Sequence, residues 1–89
     1  MREHTLAIAN KIGLHARPAA LLVKTAAAFK SDIALIKTDG KTVSAKSMLA
    51  VMSAGVKAGD TITVRTNGED EEQALQAVVA LIKSGFNEG

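Results

Sequence analysis

"DIALIKTDGKTV", residues 32–43, is the stretch on which the fold turns. Residues 32–38 read as a strand. Asp39–Gly40 is a pair that readily supplies the positive φ angles of a tight hairpin turn. "KTV" (41–43) then returns as a short strand, so the local pairing is antiparallel.

Working toward the C-terminus, "KSMLAVMSAG" predicts a helix of at most two turns, capped by Ser44 or Ser47 and ended by Gly55. "DTITVRT" (60–66) alternates Ile62 and Val64 as a further strand, closed by Asn67–Gly68. A longer helix follows. Glu69, Asp70, Glu71 and Glu72 crowd its first turn, where the helix dipole favours anions. Leu75, Val78, Val79 and Ile82 form its apolar stripe, and Lys83 with Gly85 marks its end. Helix capping accounts for that acidic cluster without any acid–base role.

Toward the N-terminus, "EHTLAIAN" (3–10) sets Leu6 and Ile8 against Thr5, Ala7 and Ala9, the alternation of a half-buried strand. After a "KIG" loop, "PAALLVKTAAAF" (18–29) predicts a helix with Pro18 at its first position, where a missing N–H costs nothing. Leu22, Ala26 and Phe29 share the face expected in the core. Arg17, Ala20, Leu21, Lys24 and Ala28 share another. The order strand, helix, strand, strand, helix, strand, helix predicts one α+β domain over residues 1–89, with helices on one face of a mostly antiparallel sheet.

Composition narrows the chemistry. The chain is 47% apolar but has only two aromatic residues, Phe29 and Phe86, so Ala, Val, Ile, Leu and Met must build the core. Without cysteine, disulfide and thiolate chemistry are excluded. A net charge of +2 without a basic run, and with no Trp or Tyr to stack on bases, argues against nucleic acid as a partner. No stretch approaches the ~20 apolar residues needed to cross a bilayer. Arg2, Glu3 and His4 lead into alternation, so no signal peptide is expected and the cytoplasm is the expected location. His4 and His15 are not grouped with other ligands, so no metal site is expected, and His4 reads as a solvent-facing strand residue.

The chemistry concentrates in "GLHARPAA", residues 13–20. Gly13 lets the loop bend so that His15 can face outward. A helix beginning at Arg17 or Pro18 would leave backbone donors for an anion, those of Ala16 and Arg17 being nearest because Pro18 has none. The Arg17 guanidinium adds a permanent charge matched to phosphate oxygens. A neutral imidazole is a competent nucleophile near pH 7. Together these groups could carry a phosphoryl group with no cofactor. The bland alternative is a solvated helix cap with an incidental surface pair.

"GLHARPAA" closely resembles the phosphorylation signature of the HPr family, the histidine-containing phosphocarriers of the bacterial phosphoenolpyruvate:sugar phosphotransferase system. "GKTVSAKSMLAVMSAG" (40–55) is similar to the family's second signature, around a regulatory serine. The resemblance spans essentially the whole chain. It implies that His15 takes the phosphoryl group through Nδ1, that Arg17 neutralises it, and that Pro18 sets the helix start. It also implies an open-faced β-sandwich, a four-stranded antiparallel sheet covered on one face by three helices. Implied partners are enzyme I as donor and sugar-specific EIIA domains as acceptors, with the protein a phosphotransfer component rather than a turnover catalyst. The histidine signature does not separate the sugar branch from a nitrogen-branch (NPr-like) regulatory phosphocarrier. A non-phosphorylated small α+β binding module is the alternative of another class.

Ser47 is first of all a reasonable N-cap. By resemblance it matches the serine that an HPr kinase/phosphorylase modifies in many bacteria, which adds that enzyme and a transcriptional regulator as implied partners. Lys46 stands before it. In "MLAVM" (48–52), Val51 and one methionine are expected in the core, and the rest leaves an apolar patch in solvent. Met48, Leu49 and Met52 are therefore expected to join Ala20, Leu21, Lys24 and Lys46 as a small partner interface around His15, on a monomer.

Overall fold

The computed structural model describes residues 1–8 and 13–86. Its elements are β1 (Arg2–Ala7), α1 (Ala16–Ala27), β2 (Asp32–Lys37), β3 (Thr42–Ser44), α2 (Met48–Ser53), β4 (Thr61–Asn67) and α3 (Glu71–Lys83). The order and type of all seven agree with the sequence reading. Ala9 and Asn10 of the expected first strand, and Lys11 and Ile12 of the expected loop, lie outside the described residues.

The hairpin forms where Asp39–Gly40 predicts it. Gly40 has a φ of 91°, its N–H donates to the Lys37 carbonyl at 2.9 Å, and Leu35 pairs with Val43. The returning strand starts one residue later than expected, at Thr42.

The strands run β1-β4-β2-β3, each pair antiparallel. β4 thus lies between β1 and β2, and its alternation divides the sheet into two faces. Ile62, Val64 and Thr66 are buried, as are Ile33 and Leu35 across the ladder. The residues between them form the open face, held by cross-strand polar pairs. There Arg65 Nε reaches Glu3 Oε2 at 2.6 Å and the Thr5 and Thr63 hydroxyls meet at 2.8 Å.

The helices cover the other face, α1 packing on both α2 and α3, and α3 on β4, β1 and β2. Leu22 and Ala26 of α1, Val51 of α2, and Ala74, Val78 and Ile82 of α3 are buried together. Leu75 and Phe29 pack on the margin rather than at the centre. Phe86, which no periodicity marks, is fully buried. It follows α3 at a φ of 57°, after Gly85 at 69°, and its N–H donates to the Leu81 carbonyl at 3.0 Å. That bond, with Gly85 N–H on Ile82 O, forms a Schellman cap whose following residue folds back into the core.

Two expectations are corrected. Helix α1 begins at Ala16, so Pro18 is its third residue rather than its first, and the helix ends at Ala27, before Phe29. The first amide that reaches back into the helix is that of Ala19, which donates to His15 O at 2.9 Å. None of the three preceding residues needs an intrahelical acceptor, so proline fits throughout that turn.

The acidic cluster is also divided differently. Asp70 is the N-cap residue of α3, yet its carboxylate does not cap that helix. It accepts instead from the Ser31 hydroxyl and from the N–H groups of Ser31 and Lys30, both at 2.9 Å. The junction is tight: a Cβ on Gly68 would lie 2.6 Å from Ser31 Oγ. Glu71 serves its own helix end, accepting from Gly68 N–H at 3.2 Å and from the N-terminal amine at 2.8 Å.

These bonds favour ionised Asp70. The Ser31 hydroxyl, then the Lys30 and Ser31 amides, hold its carboxyl at about 2, below the ordinary 3.8. A lowered folded-state pKa gives stability that is present above pH ~4 and lost as pH falls toward ~2. Asp70→Asn is expected to lower the urea midpoint at pH 7 and to flatten its fall between pH 4 and 2. The two proteins should converge near pH 2.

Candidate functional site

His15 occupies the N-cap position of α1, with φ −89° and ψ −170°. Its side chain does not cap that helix. The residue is half-buried, and Nε2 is shielded from solvent.

The approach to His15 is set by the backbone. Gly13 has a φ of 83°, and a Cβ there would stand 2.7 Å from Val56 O and 2.8 Å from Lys57 Cα. Leu14 is buried and its N–H donates to Val56 O at 3.0 Å. Glycine is required for close approach as well as for the bend.

Beyond His15, the amides of Ala16 and Arg17 have no acceptor inside the helix, and Pro18 carries no N–H. No acidic residue stands in this first turn. Arg17 is exposed and takes part in no ion pair among the described residues. An imidazole, two amides at the positive end of a helix and a guanidinium therefore adjoin one another along three consecutive residues. That combination can hold an anion attached to the ring. Among the described residues, no three His, Cys, Asp or Glu side chains come together as a metal-binding group.

The second segment is resolved in favour of Ser47 as the cap of α2. Its hydroxyl accepts from Ala50 N–H at 3.2 Å, while Ser44 Oγ accepts from Lys46 N–H. Lys46 points elsewhere than expected of a surface cation: its Nζ donates to the Phe29 carbonyl at 2.7 Å. It fastens the start of α2 to the end of α1.

Helix α2 buries Val51 and half-buries Met48 against the core, but leaves Leu49 78% and Met52 44% exposed. On α1, Ala20 and Lys24 are exposed and Leu21 is half-buried. Of the apolar residues expected in that patch, Leu49, Met52 and Ala20 are thus the exposed ones.

Sequence reasoning missed two supports. Lys37 Nζ donates to Ala54 O at 2.7 Å and Lys41 Nζ to Ser53 O at 3.3 Å, so the hairpin holds the C-terminal carbonyls of α2. Nothing local in the sequence signals that contact. The turn at 56–60, on which Gly13 rests, is signalled only by "AGD" (58–60), a turn-like run.

Comparison with known proteins gives the family. A family model, PTS-HPr, described as the PTS HPr component phosphorylation site, matches residues 2–84. A phosphocarrier protein HPr from Xylella fastidiosa is 47% identical over 88 residues, covering 99% of this chain and 98% of its own. The crystal structure of HPr-C-His from Thermoanaerobacter tengcongensis superposes with a TM-score of 0.95 at 49% identity, covering 100% of this chain and 99% of that one. An HPr dimer from the same organism gives a TM-score of 0.78 at 50% identity, covering 99% and 100%. Matched along its length in sequence and in fold, the chain belongs to the HPr family, the phosphocarriers of the phosphotransferase system.

Proposed function

We propose that His15 is the phosphoryl acceptor, through Nδ1, and that Ala16 N–H, Arg17 N–H and the Arg17 guanidinium receive the phosphate. The observation that carries this reading is the position of His15, the last residue before a helix whose first two amides have no helical acceptor. The enclosed Nε2 supports Nδ1 as the nitrogen a donor reaches.

The neutral ring attacks phosphorus as the donor's bond to it breaks, and the donor keeps that electron pair. The three transferred oxygens then lie among two amides and a guanidinium, which offset their charge in either direction of transfer. The N–P bond stays labile, so the group passes on. The protein is a substrate of its partners rather than a turnover catalyst.

Enzyme I is the donor and EIIA domains are the acceptors in this proposal, both docking on the patch of Ala20, Leu21, Lys24, Met48, Leu49 and Met52. One small patch shared by donor and acceptors suits a monomer in the cytoplasm. Among the described residues no helix is long and apolar enough to cross a membrane. Lys46 belongs to the support of the patch, because its ammonium is occupied by Phe29 O.

Ser47 is proposed as the regulatory site, for an HPr kinase/phosphorylase, with a transcriptional regulator reading the result. Its hydroxyl already faces an α2 amide, where added negative charge is tolerated. It immediately precedes Met48 and Leu49, so that charge would fall inside the docking surface.

Two sets of variants test these roles. With phosphoenolpyruvate and enzyme I, wild type should gain an acid- and heat-labile phosphate that His15→Ala lacks; a label persisting in His15→Ala refutes the site. Arg17→Ala should slow transfer about ten- to a hundredfold, as loss of a charge-assisted bond worth ~1.5–3 kcal/mol implies. Ser47→Ala should lose ~1 kcal/mol of folding stability with its cap. Ser47→Asp should retain that stability yet slow phosphate uptake, which stopped-flow transfer and urea melts would separate.

A further inference from the structure

We infer that the turn at residues 56–60 is a positioning clamp for His15, holding both ends of the connection between β1 and α1. This rests on His15 being the acceptor. On the β1 side, Ile8 N–H donates to Asp60 O at 2.8 Å, and Gly59 N–H donates to Ile8 O at 3.0 Å. On the α1 side, Leu14 N–H donates to Val56 O at 3.0 Å, with Gly13 seated against Val56 and Lys57. One five-residue turn therefore takes hold of the chain seven residues and one residue before the histidine.

The turn is itself braced. Lys57 N–H donates to Asp60 Oδ2 at 2.9 Å, and Asp60 N–H donates back to Lys57 O at 3.0 Å. Gly59 completes it at a φ of 85°, in the left-handed region that favours glycine.

The clamp matters because His15 is held from two sides, its carbonyl by Ala19 N–H of α1 and the residue before it by the turn. Helix α1 is fixed by Ala19, Leu22 and Ala26 in the core. The residue just before His15 is fixed by Val56. The angle between ring and amides therefore depends on where the turn holds Leu14. A misplacement of about 1 Å in a reacting group can cost on the order of a hundredfold in rate.

Paired glycine variants test this. Gly59 and Gly40 both have positive φ, 85° and 91°, and both have open space where a Cβ would go. Replacing either with valine imposes similar backbone strain, but Gly40 lies in the β2–β3 hairpin, outside the hydrogen bonds that hold Ile8 and Leu14. Maximal transfer rate from phospho-enzyme I, its half-saturating concentration and the melting temperature are measured for each. Gly59→Val should lower the maximal rate at least tenfold with the half-saturating concentration within twofold of wild type. Gly40→Val should keep the maximal rate within twofold at a comparable loss in melting temperature. Gly59→Asn, which tolerates the left-handed region, should recover most of the rate. If Gly59→Val fails to fold, the Gly59→Ala and Gly40→Ala pair carries the same comparison. Equal rates in the Gly59 and Gly40 variants, or no rescue by Gly59→Asn, overturns the clamp alone. A wild-type label that persists in His15→Ala overturns the acceptor reading and the clamp together.

Discussion

The contact of Gly13 with the carbonyl of Val56 constrains the site more than any other. A Cβ at Gly13 would stand 2.7 Å from that oxygen, so only glycine lets the chain lie there. Because it does, Leu14 can give its N–H to Val56 and bury its side chain, and His15 follows at the cap position of α1. The helix then begins at Ala16, leaving two amides and the Arg17 side chain ahead of the ring. Pro18 keeps the donor set to two amides by contributing none.

The fold serves this by making the sheet self-sufficient. β4 pairs on both sides and its inner residues complete the core with Ile33 and Leu35. Polar cross-strand pairs finish the opposite face. The helices can then spend their apolar surface unevenly. α2 commits Val51 and part of Met48 to the core and leaves Leu49 and Met52 in water. That exposure is unfavourable for an isolated monomer and useful to a carrier with several partners. Lys37, Lys41 and Lys46 secure the short helix from both ends through backbone carbonyls, so it keeps its place without a deep apolar side.

Much of this is legible in the sequence alone. Strand alternation in β4, the Asp39–Gly40 turn and the stripe of α3 are local signals, and they locate β4, the β2–β3 hairpin and α3. His15, Ala16 and Arg17 are adjacent in sequence, so their grouping needed no tertiary knowledge. Helix α1 starts earlier than Pro18 suggests because proline suits any residue of the first turn, not the first alone. Asp70 looked like a cap for α3, whereas its carboxylate serves Lys30 and Ser31, some 40 residues away in the chain. The lysine bonds to α2 and Phe29, the burial of Phe86 and the 56–60 turn are likewise long-range or cap-dependent. Periodicity does not encode such contacts.

The central claim is that phosphate on His15 is received by the first amides of α1. Proton–nitrogen correlation spectra of the ¹⁵N-labelled protein, before and after phosphorylation by enzyme I and phosphoenolpyruvate, test it most directly. The account predicts large downfield amide proton shifts at Ala16 and Arg17, while the β2–β3 hairpin stays unchanged. A phosphorylated protein whose Ala16 and Arg17 amides do not move would contradict it.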